Sequence, residues 1–166
     1  MRYLTLLFFI GTFFVSCGSD ENEEENPQES LELITPKEGI TQIKFGDTAQ
    51  KVFDTYGVVP DSFGGTGGVF QHFLIYGNEG LIFYLEDSGF EELNLNLEVI
   101  RIVCNANFKA ETPEGIKVGS TRNEVISTYG EPDKISTFFG EDYDTLGLNF
   151  EYNDANELVT QITIER

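Results

Sequence analysis

The sequence has few of the residues on which most binding and catalytic chemistry depends. Its 166 residues include one His, two Cys, one Met and no Trp, and ten Lys and Arg stand against 29 Asp and Glu, for a formal net charge of −19. Proteins bind nucleic acid by displacing counterions with Lys and Arg, so we expect no nucleic-acid partner. Zinc takes three or four protein ligands, so His72 alone predicts no metal site, and we expect no cofactor.

A hydrophobic run long enough to cross a membrane is also missing at the N-terminus. The apolar segment Leu4–Val15 has twelve residues, whereas a spanning helix needs about 20. Preceded by Arg2, it is typical of a secretory signal peptide, which we assign to residues 1–16. The segment ends in "FVSC" at Phe14–Cys17, which resembles the lipobox of bacterial lipoproteins and implies that Cys17 carries lipid. An ordinary signal peptide followed by an unrelated Cys is the alternative.

The residues after Cys17 are acidic and have almost nothing to bury, as "GSDENEEENPQES" at 18–30 shows. A segment of this composition does not bury enough apolar surface to become ordered, so we expect residues 17–35 to be a lipidated, disordered tether. Its "SDE" at Ser19–Glu21 resembles the export signal of Bacteroidota-type surface lipoproteins. That resemblance implies anchoring in the outer membrane with exposure at the cell surface, so the membrane is one expected partner.

Cysteine usage agrees with this prediction. If Cys17 carries lipid, only Cys104 remains, and an intramolecular disulfide cannot form. Cys104 ends the apolar run "LEVIRIVC", so we expect a small buried residue rather than a catalytic thiol, which would need a basic partner.

One phrase occurs twice in the chain. "IKFGDTAQKVFDTYG" at Ile43–Gly57 and "IKVGSTRNEVISTYG" at Ile116–Gly130 are identical at eight of fifteen positions, which marks a repeated structural unit. In the second copy Thr121 and Glu124 have the spacing of a helix capping box; in the first, we expect Asp47 and Gln50 to serve that purpose. Each copy predicts a helix of two to three turns that stops at the final Gly.

Alternating apolar segments after each copy predict strands. They are 69–76, 81–85 and 97–104 after the first copy, and 134–139, 146–152 and 158–165 after the second. The predicted fold class is therefore α+β: two tandem helix-plus-three-strand antiparallel units, at 36–110 and 111–166, form an extended sheet with the short helices on one face.

The motif "GSTRNEVISTYGEP" at Gly119–Pro132 is similar to the helix motif of the SmpA/OmlA (BamE) lipoproteins and to the repeats of the β-lactamase-inhibitor-protein-like fold. The resemblance implies helices packed on an antiparallel sheet, and a protein that inhibits or confers immunity to another protein, or that is an accessory subunit of an envelope assembly.

The chain offers little for catalysis. The loop "FGGTGG" at Phe63–Gly68 leads into a strand, whereas a phosphate-binding loop precedes a helix. We interpret it as a mobile loop; the alternative is a loop that adapts to a partner, with Phe63 at its tip. The turn "NDANE" at 153–157 lacks the Gly and distal Glu of a calcium loop. The carboxylate pairs Glu91–Glu92 and Glu141–Asp142 leave open an alternative, a glycan-handling or hydrolytic lipoprotein, because glycosidases use two carboxylates.

Aromatic residues near the predicted loops are the remaining candidates for a binding surface, because aromatic anchors dominate interface energetics. We therefore predict a non-catalytic surface lipoprotein that binds an unidentified protein or envelope component, through an exposed face of the sheet or through the loops at one end of it. Its candidate contact residues are Phe63, Phe90, Phe139 and Tyr143.

Overall fold

The computed structural model of the protein describes residues 32–59, 61–66, 69–87, 92–136, 140–153, 155 and 157–166. Within these ranges lie eleven strands and two helices. The helices are α1 Ala49–Tyr56 and α2 Arg122–Tyr129. The strands are β1 Glu32–Thr35, β2 Gly39–Ile40, β3 Asp61–Thr66, β4 Val69–Tyr76, β5 Leu81–Asp87, β6 Val99–Asn105, β7 Ala110–Glu111, β8 Lys134–Ser136, β9 Gly140–Tyr143, β10 Leu148–Tyr152 and β11 Val159–Glu165.

Eight strands form one antiparallel sheet in the order β3-β4-β5-β6-β11-β10-β9-β8. The two halves of this sheet meet where β6 pairs with β11, in a register that places Ile102 opposite Ile164. The other three strands form a small sheet in which β1 pairs antiparallel with β2 and parallel with β7. Ile34 and Ile40 of this small sheet are fully buried and belong to the same core as the large sheet.

The predicted fold class, α+β with two tandem helix-plus-three-strand units, is wrong. The described residues are mostly β structure, with one eight-stranded and one three-stranded sheet against two helices of eight residues each. The prediction treated each helix as a partner of its own three strands. In the observed large sheet four strands follow each helix, and a separate three-stranded sheet contributes to the same core.

Two strands account for much of the error. β3 lies in the segment interpreted as a mobile glycine-rich loop, and it pairs with β4 from Asp61 to Thr66. β9 lies between the predicted strands 134–139 and 146–152, in the segment "GEDYD" at 140–144 that we expected to be a turn. Glu141 of β9 is nevertheless buried, because its carboxylate accepts a hydrogen bond from Arg122. The small sheet also contains β1, whose residues 32–35 had been included in the predicted tether.

The two copies of the repeated phrase begin their helices by related means. Thr121 accepts a hydrogen bond from the Glu124 amide at 3.2 Å, and the Glu124 carboxylate accepts one from the Thr121 amide at 2.6 Å, so the predicted capping box is confirmed. The first copy departs from the prediction, because Thr48 is the cap and accepts from the Lys51 amide at 3.4 Å. Asp47 instead accepts from the Lys44 amide.

Both helices also end as expected, at Gly57 and Gly130. These residues have φ values of 89° and 84°, in the region that L side chains rarely adopt. Each donates its amide hydrogen to the carbonyl four residues earlier, at 2.8 Å. A substitution with a side chain at either position would strain the backbone that stops the helix.

The last residue of α1 is fixed to the large sheet through aromatic contacts. The Tyr56 ring lies 5.5 Å from the Tyr76 ring of β4 and 5.6 Å from the Phe83 ring of β5. The Tyr76 hydroxyl donates to the Gly57 carbonyl at 2.6 Å.

The last residue of α2 has matching surroundings in the other half of the sheet. The Tyr129 ring lies 6.0 Å from Tyr143 of β9 and 6.1 Å from Phe150 of β10. The Tyr143 hydroxyl donates to the Gly130 carbonyl at 3.1 Å. Both helices thus contact the same face of the sheet, because these aromatic side chains all belong to the buried core or pack against it.

Candidate functional site

The large sheet has one covered face and one open face. Alternate residues of a strand lie on opposite faces, so Leu74 and Tyr76 of β4 are buried beneath the helix side whereas Ile75 is 44% exposed. Both described helices lie on the covered face. We call the other side the open face; it is formed by Phe73, Ile75, Ile82, Tyr84, Arg101, Val103, Asp142, Asn149, Glu151, Gln161, Thr163 and Glu165.

One end of the open face is apolar and aromatic. Ile75 lies opposite Ile82 in the β4–β5 register, and Phe73 lies opposite Tyr84. The Phe73 and Tyr84 rings are stacked, with centroids 5.5 Å apart and an interplanar angle of 30°. The two large isoleucine side chains and this ring pair form a continuous apolar surface on two adjacent strands.

Arg101 marks the change from the apolar to the polar end. Its guanidinium lies 5.4 Å from the centre of the Tyr84 ring, within the range of a cation–π contact. Its Nε also lies 2.7 Å from Glu165 Oε1. Arg101 is therefore held between an aromatic ring and a carboxylate, which fixes a long side chain in the middle of the face.

The polar end is lined by carboxylates held by neighbouring amides. Asn149 Nδ2 donates to Asp142 Oδ1 at 2.6 Å, and Gln161 Nε2 donates to Glu151 Oε1 at 2.6 Å. These four side chains line a cavity of about 490 Å³ that extends to Tyr84 and Arg101. The open face therefore joins an aromatic strip to a groove with ordered hydrogen-bonding groups.

Tyr143, one of the four predicted contact residues, lies in the core. Its side chain is 2% exposed, and burial, with Glu141 and Glu131 nearby, raises the pKa of its hydroxyl to about 12. Phe63 lies in the edge strand β3, where its backbone pairs with His72, and its side chain is outside the described part. Phe90 and Phe139 lie outside the described residues.

The predicted lipid-attachment residue, Cys17, also lies outside the described residues, as do the signal peptide and the tether up to residue 31. Among the residues that the structure covers, no helix is both long and apolar enough to span a bilayer.

The carboxylate pair Glu141–Asp142 does not act as a pair. The two residues are adjacent in β9, so their side chains lie on opposite faces of the sheet. Asp142 belongs to the open face, whereas Glu141 is buried and its Oε1 accepts a hydrogen bond from Arg122 Nε at 2.6 Å. This bond is the main reason that the pKa of Arg122 is raised. Of the other pair, Glu92 is exposed and Glu91 lies outside the described residues.

Two further residues considered for catalysis or metal binding, Cys104 and His72, lie in the interior. Cys104 is buried, as predicted, and burial raises the pKa of its thiol well above the ordinary value, which disfavours the nucleophilic thiolate. His72 is 2% exposed. Across the described ranges, no three His, Cys, Asp or Glu side chains are grouped so as to hold a metal ion.

Sequence reasoning allowed binding by an exposed sheet face or by loops, but it named contact residues only near loops and none of those on the open face. A signal was present, because the odd-numbered and even-numbered residues of "FLIY" and "LIFYL" are both apolar. The residues of one set fill the core, and the residues of the other set place apolar side chains on the second face of the sheet. Which second-face residues become neighbours depends on the β6–β11 pairing, which the sequence did not predict.

A comparison with protein-family models, with curated proteins and with solved structures finds no significant match to this chain.

Proposed function

We propose that the protein is a non-catalytic, lipid-anchored surface lipoprotein that binds another protein through the open face of its sheet. The observation that carries the proposal is the aromatic and apolar strip of Phe73, Ile75, Ile82 and Tyr84, placed beside a fixed Arg101. Protein interfaces are enriched in aromatic residues and Arg at their centres and have polar rims. The open face has this composition, with the aromatic strip at one end, Arg101 beside it and polar side chains beyond.

The rigidity of the sheet also favours recognition of a partner. The open-face side chains stand on strands that pair across the whole sheet, from β3 to β8, and several are already held by ion pairs or hydrogen bonds. Binding to a preorganised surface avoids the cost of ordering side chains. A partner would therefore meet a surface that needs little rearrangement.

The N-terminal sequence supports the proposed location. Signal peptide, Cys17 and the acidic tether lie in that order before β1, so lipid on Cys17 would anchor the folded part at the outer membrane and raise its local concentration near other envelope proteins. Substitution of Cys17 by Ala should abolish incorporation of radiolabelled palmitate and release the protein from the membrane fraction. Retention of label by Cys17→Ala would contradict lipidation at this residue.

Site-specific photocrosslinking in cells tests the binding face. A photoreactive amino acid replaces Ile75, which is 44% exposed on the open face, or Val58, which is 81% exposed beyond the end of α1. We expect a discrete crosslinked protein from position 75 and a much weaker product from position 58. Equal products at both positions, or none at position 75, would exclude the open face as the binding site.

Identification of the crosslinked product then separates the two predicted roles. A secreted enzyme or toxin would indicate an inhibitor or immunity protein, and a resident envelope complex would indicate an accessory subunit.

A further inference from the structure

We infer that the polar end of the open face is a groove for an extended, basic segment of the partner protein, in which Lys or Arg side chains at alternate positions lie over Asp142 and Glu151. The inference rests on the proposed function and adds the chemistry of the partner. It follows from the charges on the groove and the spacing of the two carboxylates.

Among the described residues, no cation forms an ion pair with two of the carboxylates on the groove. Glu165 is paired with Arg101, so that part of the groove is balanced. Asp142 and Glu151 are held instead by the amides of Asn149 and Gln161. An amide donor orients a carboxylate without cancelling its charge, and each carboxylate keeps free lone pairs. The floor of the groove therefore presents two fixed negative charges.

In the described strand register, Lys134 is the only Lys that pairs with a residue bearing one of these two carboxylates, and it lies opposite Asp142. Its Nζ lies 2.6 Å from Asp144, and this bond, with further carboxylates nearby, raises the pKa of Lys134. Lys134 is thus bonded to Asp144, and the charge of Asp142 also acts on it. One ammonium group is shared by two carboxylates, so an acid surplus remains at this end of the sheet.

The spacing of the two carboxylates suits an extended chain. Asp142 lies opposite Asn149 in the β9–β10 register, and Glu151 follows two residues later in β10. Such diagonal neighbours are about 7–8 Å apart. In an extended peptide, side chains at i and i+2 lie on one side and about 7 Å apart. Basic residues at alternate positions therefore match the two carboxylates, whereas adjacent basic residues would point to opposite sides.

The aromatic strip lies off the line of such a segment. In the strand registers Asp142 is in one row with Asn149 and Thr163, whereas Glu151 lies on one side of this row and Tyr84 on the other. From Tyr84 on β5 to Asp142 on β9 the open face crosses β6, β11 and β10, which is about 19 Å at the usual strand spacing. A short straight segment over both carboxylates therefore occupies the polar end, and the aromatic strip is left to another part of the partner. The net charge of −19 would speed the encounter with such a segment.

A fluorescent octapeptide of alternating Lys and Ser serves as the probe, with full-length protein in a non-ionic detergent and anisotropy as the readout. A peptide of the same composition with the four Lys at one end, and one of alternating Glu and Ser, are the controls. We expect Asp142→Asn/Glu151→Gln to weaken binding of the alternating Lys peptide about tenfold, since two ion pairs are lost. The Glu peptide should not bind.

The matched control is Glu79→Gln/Glu131→Gln, which removes the same charge from two exposed side chains outside the open face and should change the affinity by less than about twofold. Equal weakening by both double variants would show diffuse attraction by net charge and overturn the inference. Equal affinity for the clustered and alternating Lys peptides would overturn the spacing. Binding of maltohexaose that depends on Asp142 and Glu151, with no peptide binding, would show a glycan groove instead.

Crosslinking separates this inference from the proposed function. If position 75 captures a partner equally well in the wild-type background and in Asp142→Asn/Glu151→Gln, the open face binds protein and the basic-segment inference fails. If capture falls only in the groove variant and persists in Glu79→Gln/Glu131→Gln, both hold. If position 75 captures nothing in either background, the proposed function fails.

Discussion

The buried ion pair between Arg122 and Glu141 gives the sharpest test of how the two halves of the sheet differ. The Glu141 side chain is 5% exposed and the Arg122 side chain is 30% exposed. Tyr152 lies beside them, and its pKa is raised by burial first and then by the charge of Glu141. Removing Arg122 would leave a carboxylate in the interior without a cation.

The corresponding positions in the other half of the chain are apolar. Glu141 lies two residues before Tyr143, and in the other half Leu74 lies two residues before Tyr76. Tyr152 lies two residues after Phe150, and in the other half Leu85 lies two residues after Phe83. Ala49 begins α1 as Arg122 begins α2. Ala49, Leu74 and Leu85 are all fully buried. The chain therefore contains an apolar version of the same packing site.

The expected costs follow from burial. Breaking a buried ion pair costs about 3–5 kcal/mol, and the partial exposure of Arg122 reduces this, so Arg122→Ala should lower the free energy of unfolding by about 2–3 kcal/mol. With an m value of about 2 kcal/mol/M, the urea midpoint would fall by about 1 M. Glu141→Gln keeps an acceptor for Arg122 and should cost about 1 kcal/mol.

The triple variant Arg122→Ala/Glu141→Leu/Tyr152→Leu copies the apolar site and should be as stable as the wild type or up to about 2 kcal/mol more stable, because well-packed hydrophobic residues often replace buried ion pairs without loss. Urea unfolding followed by far-UV circular dichroism measures all three. The reasoning is refuted if Arg122→Ala lies within about 0.5 kcal/mol of the wild type, or if the triple variant is no more stable than Arg122→Ala.

Three other properties follow from the contacts of single side chains. Thr121→Ala should cost about 1–2 kcal/mol because it removes a capping box, and Thr48→Ala should cost less, because its bond is 3.4 Å long and unreciprocated; equal losses in urea unfolding would contradict this. Cys104 should react with iodoacetamide at pH 8 only as fast as the protein unfolds, because it is buried with a raised thiol pKa; mass spectrometry showing rapid native labelling would refute its burial. Burial raises the pKa of Tyr76 and of Tyr143 from 10.0 to about 12, so the stability that they contribute is complete below pH 10 and is lost as the pH rises towards 12. Tyr76→Phe and Tyr143→Phe should flatten that alkaline loss in a pH series of urea midpoints, and an unchanged slope would contradict the linkage.

Several local features could be predicted from the sequence because each depends on residues close together in the chain. The capping box at Thr121 and Glu124 is a contact between residues three positions apart. The helix stops at Gly57 and Gly130 need only a positive φ at one residue. The alternation of apolar residues in β11 and the burial of Cys104 follow from the period of a strand. These predictions were confirmed, whereas the cap of the first helix, predicted at Asp47 with Gln50, is Thr48.

Errors arose where burial depends on a distant partner. The segment containing β9 was expected to be a turn. It is a strand with Glu141 buried, because Arg122, nineteen residues earlier, donates a hydrogen bond to the Glu141 carboxylate. β3 was expected to be a loop because of its glycines, and it is a strand because β4 supplies its hydrogen bonds. Tyr143 was expected near a loop, and it lies in the core because α2 covers it.

By itself the sequence determined the capping box of the second helix, the glycine stops of both helices and the apolar periods of the strands, and its N-terminus predicts where the protein is located. Only the tertiary structure decided that β6 pairs with β11, and this one pairing brings Tyr84 and Arg101 together with Glu151 and Asp142 on a single face. Side chains on one sheet face become neighbours through hydrogen bonds between strands far apart in the chain. Strand periodicity fixes which side of a strand a residue occupies, and it carries no information about which strand lies next to it.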